Sequence, residues 1–167
     1  VMVSVMALTP VHMEGHGSGI EFIGLTISLH IAGMFALSPL MGWLNDRWGS
    51  VRVIVSGQLI LLVACLIAGT SGHSEFRITV GLILLGIGWS ASVIAGAAML
   101  TSSVDHSVRP LVQGVSDLSM NLAGAAGGLL AGVIVAWWSF GALTFVAALL
   151  VIPVVVGLLS QRVGHGG

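Results

Sequence analysis

Gly42-Trp43-Leu44-Asn45-Asp46-Arg47-Trp48-Gly49-Ser50-Val51-Arg52 is a short polar stretch set between two long apolar runs, Ile20 to Leu44 and Val51 to Gly69. Each run approaches the roughly 20 apolar residues that carry a helix across about 30 Å of hydrocarbon. The stretch between them has the chemistry of a turn at a membrane surface. Arg47 and Arg52 keep it in water and can pair with acids, and Trp43 and Trp48 suit the interface. Asp46 can accept backbone N–H groups or face the positive end of a nearby helix. Gly49 can supply the turn geometry, and Gly42 lets a neighbouring helix approach closely.

Working outward, the composition extends the same reading to the whole chain. Hydrophobic residues make up 56% of the 167 residues and charged residues 7%, with five arginines and six acids. Mean hydropathy is +1.10. A soluble domain normally carries about a quarter charged residues, so most of this surface has to face lipid. The 24 glycines fit close helix contacts in a bilayer. A net charge of -1 with no basic patch gives nucleic acid no footing. The single Cys65 lies within an apolar run, which points to neither a disulfide nor a metal framework.

Further runs span about Phe76 to Ser102, Leu111 to Val135 and Phe140 to Leu159, all too long for strands. Val1 to Met13 is shorter, reaching about 20 Å at 1.5 Å per residue. That run, and a sequence opening on Val, read as the later part of a helix whose beginning is missing. The expected fold is therefore all-α: a polytopic membrane bundle of six transmembrane helices, the first truncated. Six crossings put Arg47, Arg52, Arg109 and Arg162 on one side, against Arg77, Glu14, Glu21 and Glu75 on the other. By the positive-inside rule the arginine-rich side is cytoplasmic, with both ends of the segment inside a plasma or inner membrane. Trp137 and Trp138 fall at a predicted turn, as an aromatic belt requires.

The stretch 42–52 resembles the loop signature of the major facilitator superfamily, G-x-L-x-D-R-x-G-x-x-R. Gly42, Leu44, Asp46, Arg47, Gly49 and Arg52 match it, while Ser50 replaces the usual basic residue. His30 to Phe35 with Ser38-Pro39, Gly86 to Ser90 with Gly96, and Arg109-Pro110 with Gln113-Gly114 and Asp117 resemble helices eight, ten and eleven of a bacterial, exporter-like subgroup. The resemblance implies that residues 1–167 form the C-terminal half, helices seven to twelve, with the N-terminal six-helix half absent. It implies secondary transport of a small solute by alternating access, driven by an ion gradient, with protons the default. It also implies that these residues alone do not transport, because the loop motif is expected to lock against the other half.

Intramembrane polar residues are then the ones to weigh, since charge in hydrocarbon is costly. Asp117 lies about two turns into its helix with Asn121 one turn later, and Gly124, Gly128 and Gly132 continue that stripe. Asp117 reads either as a coupling or gating group, or as a structural carboxylate bonded to a helix end or to Arg109. Mid-depth His30 reads as a proton relay or as a packed histidine bonded across helices. Trp89, Ser90 and Ser92 suit a cavity for amphipathic solutes, although Gly88, Ser92 and Gly96 also form a small-residue packing face. Gln58 reads as an interhelical hydrogen-bond donor. Met2, Met6, Met13, His12 and His16 hint at a soft metal. Met is an ordinary membrane residue, however, and glycines loosen that loop, so no metal or cofactor is expected. No nucleotide loop, nucleophile elbow or catalytic triad spacing is present, and no enzyme is expected. The alternatives kept open are a non-transporting six-helix scaffold and a half-size carrier acting as a dimer.

Overall fold

The computed structural model describes residues 1–15, 17–72 and 74–164, with side chains as far as residue 157. Among these residues the chain is all-α. Its elements are α1 (Met2–Gly15), α2 (Ile20–Phe35), α3 (Ser38–Trp48), α4 (Ser50–Gly69), α5 (Glu75–Ser102), α6 (Arg109–Trp137) and α7 (Phe140–Gly164). Five spans are long and apolar enough to cross a membrane, with α2 and α3 counted together as one. At 14 residues, α1 falls short of that length. The expected spans are recovered to within a few residues because hydropathy alone sets where a membrane helix can begin and end.

One expected helix is broken. The predicted run Ile20 to Leu44 divides at Ala36 and Leu37 into α2 and α3. Pro39 supplies the cause: it has no N–H to donate, and its ring clashes with the carbonyl four residues back, at Phe35. Ser38 Oγ donates instead to the Met34 carbonyl at 3.3 Å, closing the α2 end. The loop signature is consequently mostly helical, since α3 continues through Leu44, Asp46 and Arg47 to Trp48. Only Gly49 separates α3 from α4. It adopts φ +82° and ψ 150°, donates its N–H to Asn45 O at 2.9 Å, and so ends one helix and begins the next.

The hub of the bundle is α5. In its most apolar stretch 56% of residues are buried, against 6% in α6. Small residues make this possible. A Cβ on Gly88 would sit 2.8 Å from Gly57 O and 3.0 Å from Leu61 N. Farther along, one on Gly81 would sit 3.1 Å from Ala68 Cβ. These pairs run in opposite directions, so α4 and α5 are antiparallel with their backbones nearly touching. On its other side α5 meets α2 in parallel: Thr26 pairs with Thr79, His30 with Leu82, and Gly33 with Ile83 and Gly86. Cys65 is buried in the α4 core with Leu61, Ala64 and Ala68. The up-and-down course brings Arg47, Arg52 and Arg109 to one end and Arg77 to the other. The Arg162 side chain lies outside the described residues. Trp43, Trp48, Trp137 and Trp138 are all exposed near helix ends.

Candidate functional site

A cavity of about 290 Å³ lies between α1, α4, α5, α6 and α7. Its polar wall comes from the α4–α5 seam. Gly57 and Gly88 draw the two backbones together, and this brings Gln58 on α4 opposite Ser92 on α5. Ser92 Oγ donates to Gly88 O at 2.8 Å, one turn back on its own helix, and accepts from Gln58 Nε2 at 3.0 Å. Trp89, also from α5, lines the same space and meets the Phe35 ring edge-on, with centroids 6.2 Å apart at 74°. Met120 and Gly124 of α6 and Val3 of α1 complete much of the apolar remainder.

Trp89 and Ser92, both singled out from the sequence, therefore share one cavity, and Gln58 joins them. Ser90 does not. It is buried, and its hydroxyl has no hydrogen-bond partner among the described residues. Gly96 has open space around it, so the small-residue face formed by Gly88 and Ser92 stops before reaching it.

His30 lies in the α2–α5 seam, fully buried. Its Nδ1 is 2.7 Å from the Leu82 carbonyl. A carbonyl can only accept, so Nδ1 carries the proton and donates. In the neutral ring Nε2 is then a bare acceptor, and it has no partner among the described residues. One turn nearer the α2 start, Thr26 and Thr79 share a hydroxyl–hydroxyl bond of 2.9 Å, and Thr79 also donates to Glu75 O. Sequence reasoning passed over this threonine pair. Its signal was present: Thr26, His30 and Gly33 recur at helical spacing opposite Thr79, Leu82 and Gly86. Converting His30 to Leu removes one buried interhelical bond while leaving the Gly33–Gly86 crossing. Bonds of this kind contribute roughly 0.5–2 kcal/mol in membrane bundles. A drop of a few degrees in the thermal midpoint of the detergent-solubilised protein is expected, and an unchanged midpoint would show that the bond contributes nothing.

Asp117 and Asn121 lie on α6, both exposed. Gln113 Nε2 donates to Asp117 Oδ1 at 3.0 Å, and Asn121 Nδ2 donates to the Asp117 backbone carbonyl at 2.8 Å. Arg109 is engaged elsewhere, with His106 and the Val104 carbonyl, so the alternative in which Asp117 bonds to Arg109 is not formed. The glycine stripe that continues from Asp117 is also only partly packed. Gly124 and Gly128 face Val3 of α1, and Gly127 faces Ser4, while Gly132 meets nothing within 4 Å. The contact face turns toward Gly127 and the buried Ala131.

The signature residues Gly42 and Leu44 are half-buried, and Asp46, Arg47, Gly49 and Arg52 are exposed. A Cβ at Gly42 would meet nothing within 4 Å, so among the described residues no helix makes the close approach expected there. The Arg47 guanidinium lies 5.5 Å from the centre of the Trp43 ring, a cation–π contact in place of an ion pair. Among the described residues no salt bridge joins Asp46, Arg47 or Arg52 to an oppositely charged side chain. Of the Met and His residues near the start, Met13 is buried and His12 stacks on Phe140 at 4.4 Å, while His16 lies outside the described residues.

Known proteins carry related sequences through this bundle. The MFS-type transporter YdeG of Bacillus subtilis is 42% identical over 160 residues, covering 93% of this chain and 37% of its own length. The MFS-type transporter YddS of the same organism is 39% identical over the same shares. The riboflavin transporter RfnT of Brucella anthropi is 30% identical over 162 residues, 95% of this chain and 40% of that protein. The chain thus spans about two fifths of the length of these relatives. The model of the Major Facilitator Superfamily matches residues 1–165. With a helical bundle of the right length and polarity and a match running through every element of it, the chain belongs to the major facilitator superfamily.

Proposed function

We propose that the chain is the C-terminal six-helix half of a secondary transporter that carries a small amphipathic solute across a bacterial inner membrane. The observation that carries this reading is the family match over residues 1–165, combined with relatives named as transporters that are more than twice as long. A mostly apolar cavity with one wall that carries Gln58, Ser92 and Trp89 supports a solute of that class. Alternating access against a second six-helix half follows from the way such repeats work. The arginine-rich end faces the cytoplasm on this reading. An antibody against residues 160–167, applied to native membranes, tests the half-transporter assignment directly. A band at about twice the calculated 17.1 kDa or more supports it. A band near 17.1 kDa favours a half-size carrier or a scaffold.

Protons are the proposed coupling ion, with Asp117 and the bare Nε2 of His30 the groups able to take one up. One proton per solute across one pH unit sustains about tenfold accumulation, since a pH unit corresponds to 1.36 kcal/mol. Asp117→Asn in the intact transporter keeps the shape and the Gln113 contact while removing the titratable proton. Loss of that roughly tenfold accumulation, with normal membrane insertion, is the expected outcome. An unchanged pH profile of transport would assign Asp117 a structural role.

A further inference from the structure

Gln58 was legible only as a bond between helices, yet its geometry leaves half of its amide unused. The Ser92 hydroxyl spends its proton on Gly88 O, so it can only accept from Gln58, and it takes the amide nitrogen. That fixes which end of the amide is which: Nε2 is committed to the seam, and Oε1 is the end left over. Oε1 has no partner among the described residues, and Gln58 lines the cavity. The cavity is otherwise mostly apolar, so an unmet carbonyl oxygen there is a strong hydrogen-bond acceptor in poor solvent. Trp89 stands on the same wall, one helical turn before Ser92, with its ring held by the edge contact to Phe35.

We infer that this cavity binds a neutral aromatic solute whose N–H or O–H donates to Gln58 Oε1 while its ring lies against Trp89. Among the described residues no charged side chain lines the cavity, and this disfavours ionised solutes. The amide is held before the solute arrives, so little rotamer freedom is lost on binding. Ser92 acts here as a positioning residue, because it orients Gln58 without being the group that recognises the solute.

The inference deepens the transport reading and rests on it for the fate of the bound solute, but it is tested without transport. The probes are 1-naphthol and 1-methoxynaphthalene, matched in ring size and differing in the O–H donor, below neutral pH in detergent micelles. Saturable quenching of tryptophan fluorescence reads binding, and Trp89→Phe identifies the part of the signal that comes from this site. The expected result is that 1-naphthol binds about 5- to 10-fold more tightly than its methyl ether. Gln58→Met should erase that preference and leave the ether bound as before. Ser92→Ala should narrow the preference by freeing the amide. Equal binding of both probes by the unaltered protein overturns the inference, whatever the variants do. So does a preference that survives in Gln58→Met. Either failure leaves the transport reading standing, because that reading is decided by the membrane immunoblot and the Asp117 variant.

Discussion

Replacing Gly88 by alanine is expected to lower the thermal midpoint of the detergent-solubilised protein by on the order of 2–8 °C. The added methyl would lie 2.8 Å from Gly57 O, 2.9 Å from Leu61 Cγ and 3.0 Å from Leu61 N. Two of these three obstacles are backbone atoms, which cannot rotate aside, so α4 and α5 have to separate. Overpacking of this kind costs about 1–3 kcal/mol, sometimes more. Alanine returns up to about 1 kcal/mol through its better helix propensity, which does not offset the clash. In a chain of this length each kcal/mol moves the midpoint by about 2–4 °C. The same change at Gly96, two turns along the same helix, meets nothing within 4 Å. There propensity acts alone, and the midpoint should rise by about 2–4 °C. A differential scan of the two variants beside the parent reads both effects. Equal shifts would mean that the α4–α5 seam is looser than its geometry.

Gly49→Ala is expected to have an effect nearly as large for a different reason. Nothing lies within 4 Å of a Cβ at Gly49, so space is not the obstacle. The obstacle is the backbone. At φ +82° and ψ 150° the residue occupies a region that is essentially glycine's alone, and other residues pay about 1–3 kcal/mol there. The link between α3 and α4 is this single residue, so the strain cannot be spread over a loop. Either the junction opens or one helix end unwinds. The expected signature is a midpoint lowered by several degrees, with faster proteolysis between Trp48 and Val51. Asparagine should not rescue it, because its tolerance is for the left-handed helical region rather than this one. Gly42→Ala, in open space within regular helix, is the matched control and should leave the midpoint unchanged or slightly raised.

The spans were legible because hydrocarbon thickness imposes a length that no other environment does. Ser102 as the end of α5 and Phe140 as the start of α7 were placed from hydropathy alone. The break at Ala36 and Leu37 was legible in principle, since Pro39 falls four residues after Phe35, but a run of apolar residues hid it. Gly49 was read as a turn, and its conformation agrees. Gly42 was read as a point of close approach and meets no helix among the described residues, because a glycine's purpose depends on which partner arrives. Three-dimensional placement decided the rest. Asp117 and Gln113 share a helix face and bond to each other, which the four-residue spacing allowed. That Gln58, Trp89 and Ser92 border one cavity follows from the register of α4 against α5, and the register is set by glycines whose contacts cannot be read one helix at a time.

The central position of α5 also bears on how the protein is made. Its closest neighbours, α2, α3 and α4, all precede it in the chain, so they wait in the membrane with their small-residue faces open until it emerges. The densely packed unit can close as soon as Ser102 has left the ribosome. The exposed α6 follows a few seconds later at usual rates of synthesis. A stall or a misplaced charge before residue 102 therefore leaves open faces for quality control to detect, whereas a fault in α6 arrives after the centre has set.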